Sequence, residues 1–236
     1  MSLFNKTLTG LIILYKSILD FVYPPLCFTC DKRLKETERL ICRQCWSSFY
    51  SYKGGIKIER KNLTVPGRIA FSECYALYTY SDKALKLIHT FKYSLKKSLA
   101  IEIGKDLGNL LINNGFNTAY DYMLPIPLHK SKERERGFNQ SDLLCRVASE
   151  ESGLHFYNDI AIRIKNNKSQ SHLSYKERIE NVKNIFKVKT PDKVTNKNII
   201  VIDDIITTGL TVNSFCDELK KYGAKNIICI SVIHPA

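Results

Sequence analysis

The sequence predicts an α/β protein, with one main domain on a largely parallel sheet and a small zinc-binding module ahead of it. Three observations carry this reading. The chain has 236 residues, enough for one α/β domain and a short appendage at the usual ~100–200 residues per domain. Cys27, Cys30, Cys42 and Cys45 form a C-x2-C pair followed by a second C-x2-C pair. The stretch IIVIDDIITTGLT, Ile199 to Thr211, runs from β-forming residues through two carboxylates into a Thr-Thr-Gly turn and a helix, and Ile227–Ile233 returns as strand. Open α/β sheets bind ligands outside the carboxyl ends of their strands, which is where this turn falls.

In chain order, residues 1–24 carry Leu8, Leu11, Ile12, Tyr15, Ile18, Leu19 and Val22 at three- and four-residue spacing, which predicts an amphipathic helix docked on the chain's own body, with a membrane-surface helix of little positive charge as the alternative. No apolar stretch approaches the ~20 residues that span a bilayer, and no small-residue cleavage site follows, so a cytoplasmic protein not integral to the membrane is expected. Residues 25–50 hold the four clustered cysteines. Each C-x2-C turn points two thiolates at one ion, and four thiolates leave no open coordination position, so a structural zinc is predicted. Lys32, Arg33, Arg39 and Arg43 lie where they would offset the charge of a zinc–tetrathiolate centre. Cys74, Cys145, Cys216 and Cys229 are scattered singly and read as small buried hydrophobes.

Residues 51–68 are polar, basic and glycine-containing, and read as the connection into the main domain at 69–236. Ile69–Tyr80 predicts a strand, and Asp82 opens a helix with Leu85, Ile88 and Phe91 on one side. Ile101–Leu111 predicts a second helix ended by Asn113-Asn114-Gly115, and Tyr122–Pro127 a strand entering a proline-restrained loop. The charged run HKSKERERGFNQS follows, then a helix from Asp142 to about Ser152.

Apolar residues at 44% and charged residues at 25% exclude wholesale disorder and fibrous repeats. The 36 Lys and Arg against 23 Asp and Glu give a formal charge of +13, which attracts phosphate in a nucleotide, a sugar phosphate or a nucleic-acid backbone. In the 199–211 loop, Thr207, Thr208 and Thr211 supply hydroxyls and Gly209 lets backbone approach an anion. The helix that follows aims its first N–H groups at the same place, making a phosphate cradle. Asp203 and Asp204 would repel a bare phosphate, but suit sugar hydroxyls or a metal, so a ribose 5-phosphate satisfies both halves. A Walker B reading lacks any upstream G-x4-G-K-[ST]. A dinucleotide reading lacks G-x-G-x-x-G, and a receiver-type pocket would place its acidic pair near the start of the domain.

These residues resemble the diphosphate-sugar loop of type I phosphoribosyltransferases. FKYSLKKSLA around Lys92, LPIPLHKSKERERGFNQS from Leu124, SQSHLSYKERIENVKNIF from Ser169 and the four-cysteine module ahead of them are similar to the ComF/ComFC (GntX-like) family. The resemblance implies a type I phosphoribosyltransferase fold on a five-stranded, mostly parallel sheet that binds phosphoribosyl pyrophosphate (PRPP). It implies Asp203 and Asp204 on the ribose hydroxyls, directly or through Mg, and Thr207, Thr208, Gly209, Leu210 and Thr211 around the 5-phosphate. Lys130, Arg134 and Arg136, just after the Pro127–Leu128 corner, are implied as pyrophosphate contacts, and Gln170, Ser171 and Arg178 as parts of a mobile catalytic loop. The charged run at 130–136 also reads as a solvated cluster, and 169–178 as a surface loop leading into a helix. The family further implies a role in natural competence, handling incoming single-stranded DNA alongside other DNA-uptake proteins. An active transferase with an unknown acceptor and a PRPP sensor without turnover are the rival readings.

Overall fold

The computed structural model describes residues 15, 19–49, 54–93, 97–166 and 175–234. Gln170 and Ser171 lie outside them, as do residues 1–14 and 16–18 of the predicted amino-terminal helix, of which 19–22 are helical. The chain divides into two compact units, Met1–Ser48 and Phe49–Ala236.

The smaller unit is built from two tight turns. The first closes through Cys27 N–H on the Lys32 carbonyl at 2.7 Å and Asp31 N–H on the Cys27 carbonyl at 2.8 Å, with Asp31 at φ 59°. An aspartate tolerates that left-handed conformation better than most residues. The second cysteine pair sits at the head of helix α1 (Arg43–Phe49).

The larger unit carries, in chain order, β1 (Ile56–Lys57), β2 (Glu73–Tyr78), α2 (Asp82–Tyr93), α3 (Lys97–Asn113), β3 (Tyr122–Pro125), α4 (Lys130–Arg136), α5 (Gln140–Ser152), β4 (Ala161–Arg163), α6 (Tyr175–Asn181), β5 (Phe186–Val188), β6 (Asn198–Ile205), α7 (Leu210–Lys221) and β7 (Asn226–Ile233). The main sheet has the order β1-β2-β7-β6-β3, with β2, β7, β6 and β3 parallel and β1 an antiparallel edge. Strands β4 and β5 form a separate antiparallel pair.

Successive residues of β6 divide between the two faces of the sheet. Ile199 and Val201 join a core with Phe215, Cys216 and Leu219 of α7 and Phe186 of β5. Ile200 and Ile202 are equally buried and belong to the opposite face. Cys74, Cys145, Cys216 and Cys229 are all buried, and burial pushes the Cys74 thiol up to about 12.

Helices α3 and α5 pack closely because α3 presents Gly104 and Gly108 at their contact. A Cβ on Gly104 would lie 2.5 Å from Val147 Cβ, and one on Gly108 2.5 Å from Glu151 Cβ. Ile101–Leu111 showed the helix but not this role.

Within 51–68, read from composition as a connection, Ile56–Lys57 add an edge strand and Leu63 is buried in the core. Single apolar residues among lysines and glycines leave no periodic signal. The run 130–136 is a short helix, capped by His129 Nδ1 accepting from Ser131 N–H at one end and by left-handed Gly137 at the other. Strand β2 begins only at Glu73, and ahead of it Ala70 N–H is taken by Asn213 Oδ1 at 2.8 Å.

Asp121 ties the amino ends of β3 and β6 together, accepting from Asn198 N–H at 2.8 Å and Lys197 Nζ at 3.2 Å. Its carboxyl is held below the usual aspartate range, first by the Asn198 N–H and then by Lys197, against the opposing effect of burial. A depressed folded pKa stabilises at neutral pH, and that stability is lost as pH falls through the folded value. Between about pH 5 and pH 2, Asp121→Asn should therefore lose less urea stability than the parent. Equal acid sensitivity would remove Asp121 from this role.

Candidate functional site

The four cysteines of the smaller unit lie with all their Sγ atoms within 4.8 Å of one another, and Cys30 Sγ is 3.7 Å from Cys42 Sγ. A tetrahedron with zinc–sulfur bonds of ~2.3 Å spaces its sulfurs roughly 3.8 Å apart, so the donor set fits zinc. Backbone N–H groups already point at the sulfurs, with Cys42 N–H on Cys27 Sγ at 3.3 Å and Cys45 N–H on Cys42 Sγ at 3.5 Å.

The protons divide unevenly over this set. Burial opposes ionisation of Cys27, but the Thr29 hydroxyl and backbone N–H groups outweigh it and bring the thiol down to about 6. Burial and the neighbouring Cys30, Cys42 and Cys27 push Cys45 up to about 12. Four thiolates this close ionise together only around a cation. Lys32 and Arg33, expected to offset the cluster, are engaged elsewhere: Lys32 Nζ donates to Gln44 Oε1 at 3.3 Å, and Arg33 pairs with Asp20 at 3.7 Å.

In the larger unit, β3 and β6 run parallel and adjacent, so the segments leaving their carboxyl ends emerge side by side. The segment after β6 forms a small concavity of about 40 Å³ lined by Asp203 and residues 205–212, which brings Asp203, Thr207, Thr208, Gly209, Leu210 and Thr211 together. Thr207 is exposed and Thr208 half-buried, with Thr208 Oγ1 accepting from Leu210 N–H at 3.4 Å. Leu210 turns its side chain into the core, so only its main chain faces the concavity. Asp203 Oδ1 accepts from its neighbour's amide, Asp204 N–H, at 2.8 Å and from Ser141 Oγ at 3.4 Å; Asp204 itself is buried.

Gly209 stands at the head of α7 with φ 80°. A Cβ there would meet Leu63 Cδ2 at 3.1 Å and Val65 Cγ2 at 3.2 Å. The glycine is thus required by a left-handed turn and by the 63–65 segment packed beneath it, where the sequence suggested approach to an anion. Gly209→Ala should lower stability by about 1–2 kcal/mol, some 2–8 °C in Tm for a chain of this size. An unchanged melting temperature would show that the turn relaxes.

The segment after β3 leads through Pro127–His129 to Lys130, which lines a second, larger cavity of about 330 Å³ with Asp142 and Arg163. Arg134 and Arg136 do not line it. Arg134 is exposed, and Arg136 Nη1 donates to Gln140 Oε1 at 3.0 Å. Arg178 lies on α6, and its side chain is outside the described residues. Asn139 ties the head of α5 to the exit of β3, accepting from Ser141 N–H at 3.1 Å as the cap of α5 and donating through Nδ2 to the Ile126 carbonyl at 3.1 Å.

Ser141 and Arg163 were not legible as site residues. Asn139-Gln140-Ser141 holds a helix-cap signal, whereas Arg163 has no local one. The Arg163 guanidinium is pulled down by burial and held up by the charge of Asp203, which links β4 electrostatically to the carboxylates of β6.

A sheet that is parallel apart from one edge strand, a phosphate-type loop after β6 and a four-cysteine site make this a two-part protein of the type I phosphoribosyltransferase fold with an amino-terminal zinc module. Residues 147–236 match the phosphoribosyl transferase domain, and residues 18–55 match the double zinc ribbon domain. Both parts of the chain are similar to proteins of the ComF family.

Among its relatives, the DNA utilization protein YhgH of Shigella flexneri is 26% identical over 94% of this chain and 95% of its own. Competence protein ComFC of Bacillus subtilis is 27% identical over 80% of this chain and 75% of its own. Competence protein F of Haemophilus influenzae is 34% identical over 44% of this chain and 46% of its own. No helix among the described residues is long and apolar enough to cross a membrane.

Proposed function

We propose that this protein binds PRPP with Mg²⁺ at the carboxyl ends of β3 and β6, and that it acts in the cytoplasm on incoming single-stranded DNA during natural competence. The observation that carries the first half is the single concavity shared by Asp203 and the 205–212 loop at the head of α7. A helix amino terminus and its turn suit the 5-phosphate. Asp203 and Asp204 suit the ribose hydroxyls or a magnesium ion, which takes one or two carboxylates plus phosphate oxygens. When bound, magnesium would neutralise pyrophosphate charge.

The second half is supported by the competence and DNA-utilization names of the relatives and by the +13 charge of the chain. Exposed tyrosines such as Tyr23 and Tyr80 add stacking surface for unpaired bases. A transferase that releases pyrophosphate is the second reading, favoured by the larger cavity beside Lys130.

The test is single-stranded DNA affinity over a salt series, with and without PRPP–Mg²⁺. A steep salt slope with PRPP-dependent affinity is expected. Weak DNA binding that ignores PRPP would overturn the DNA reading and leave PRPP binding to be judged by itself.

A further inference from the structure

A cavity of about 580 Å³ lies beside α7, between the 65–70 segment and the stretch from α6 into β5, and falls within the ~300–1,000 Å³ of ligand pockets. It shares one lining residue, Leu210, with the phosphate concavity. Two side chains of α7 hold its walls in place. Asn213 Oδ1 accepts from Ala70 N–H at 2.8 Å and its Nδ2 donates to the Arg68 carbonyl at 3.4 Å, which ties the helix to one wall. Ser214 Oγ donates to the Val182 carbonyl at 2.5 Å, which ties it to the other.

Val65, Pro66, Ile179, Val182 and Phe186 give the cavity an apolar side. Most of its charged side chains are already engaged. Lys221 pairs with Glu218 at 3.0 Å, Lys183 pairs with Glu180, and Lys220 Nζ donates to the Ala224 and Lys225 carbonyls. Arg68 and Asp217 remain, and both are exposed. They attract one another, yet among the described residues neither has an ion pair. Asp217 Oδ2 accepts from Asn213 Nδ2 at 3.2 Å, which orients the carboxylate and leaves Oδ1 without a partner among those residues. Burial against the wall pushes this carboxyl up, against the pull of Lys221 and Arg68.

We propose that this cavity binds a zwitterion with an apolar side chain, the chemistry of an aliphatic α-amino acid, with its ammonium on Asp217, its carboxylate on Arg68 and its side chain against Val65, Ile179, Val182 and Phe186. A simple organic anion would meet the repulsion of Asp217, and a simple cation that of Arg68. A zwitterion satisfies both and brings each a charge-assisted hydrogen bond. The same chemistry comes as a free amino acid or as a dipeptide. The site rests on the cavity and its two uncommitted charges, and not on the sugar-phosphate reading.

The experiment is calorimetric titration of the full-length zinc-loaded protein with L-leucine, the dipeptide Leu-Leu, N-acetyl-leucine and leucinamide. N-acetyl-leucine lacks the ammonium and leucinamide the carboxylate, so each should bind about tenfold more weakly than leucine. Asp217→Asn should weaken leucine about tenfold and leave N-acetyl-leucine unchanged, because that ligand has no ammonium to lose. Arg68→Gln should weaken leucine by a similar factor and leave leucinamide unchanged, and it tests the same site should Asp217→Asn melt early.

Binding of leucine or of the dipeptide with this pattern upholds the site, and the tighter of the two identifies the source. No binding of either at millimolar concentration, or binding indifferent to both substitutions, would overturn it. N-acetyl-leucine and leucinamide binding as tightly as leucine would also overturn it, since the cavity would then select an apolar group alone.

Discussion

Replacing Asp203 and Asp204 together by asparagine should weaken PRPP–Mg²⁺ binding by about two to four orders of magnitude. On the proposed reading each carboxylate would accept from a sugar hydroxyl or hold the ion, and charge-assisted contacts contribute roughly 1.5–3 kcal/mol each, or about tenfold per 1.4 kcal/mol. The substitution keeps the size of both side chains, so Ser141 Oγ and the Asp204 amide still find an oxygen at Asp203. Melting temperature should therefore move little, which separates a lost ligand from a lost fold. The salt dependence of single-strand binding should persist, because it comes from lysines and arginines, while its response to PRPP disappears. Unchanged PRPP affinity in the double variant would remove the β6 carboxylates from the site.

Zinc removal has the other large effect, and it is confined to one unit. Among the described residues of the smaller unit, Cys27, Leu34, Ile41, Cys42 and Cys45 are the buried apolar side chains, too few to hold so short a segment without the ion. Structural zinc supplies ~10–16 kcal/mol to such modules. Cys42→Ser, or extended chelation, should abolish hydrogen-exchange protection across residues 25–48. The sheet of the larger unit keeps its own core of Ile199, Ile200, Val201, Ile202, Ile228 and Ile230, so protection there should remain. Retained protection at 25–48 after the zinc is gone, verified by metal analysis, would mean that the turns fold by themselves.

The elements that could be read from the chain are those whose signal is local. The cysteine pairs show themselves by spacing, and β6, its turn and α7 by an unbroken change from β-forming residues to carboxylates to Thr-Thr-Gly to an amphipathic helix. Helix α4 was obscured because KSKERER has no apolar residue to mark a face; its caps, His129 and Gly137, lie just outside the charged run. Strands β4 and β5 have three residues each, with Arg163 and Lys187 among them, too short for an alternation to stand out. Nothing local marks Gly104 and Gly108, and only the position of Val147 and Glu151 explains them.

The sequence by itself determined the zinc ligands, the phosphate-type loop and its acidic pair, because neighbours in the chain supply each of these. Tertiary structure decided which distant residues join them. Ser141 reaches Asp203 across 62 positions, and Arg163 feels the charge of Asp203 from a separate small sheet. It also decided that the cavity beside Lys130 is shared by Asp142 and Arg163, not by Arg134 or Arg136. The physical reason is that apolar periodicity sets the type of an element and the face it buries. Which element it meets depends instead on how buried faces fit, as β3 does beside β6 and α3 against α5 through two glycines.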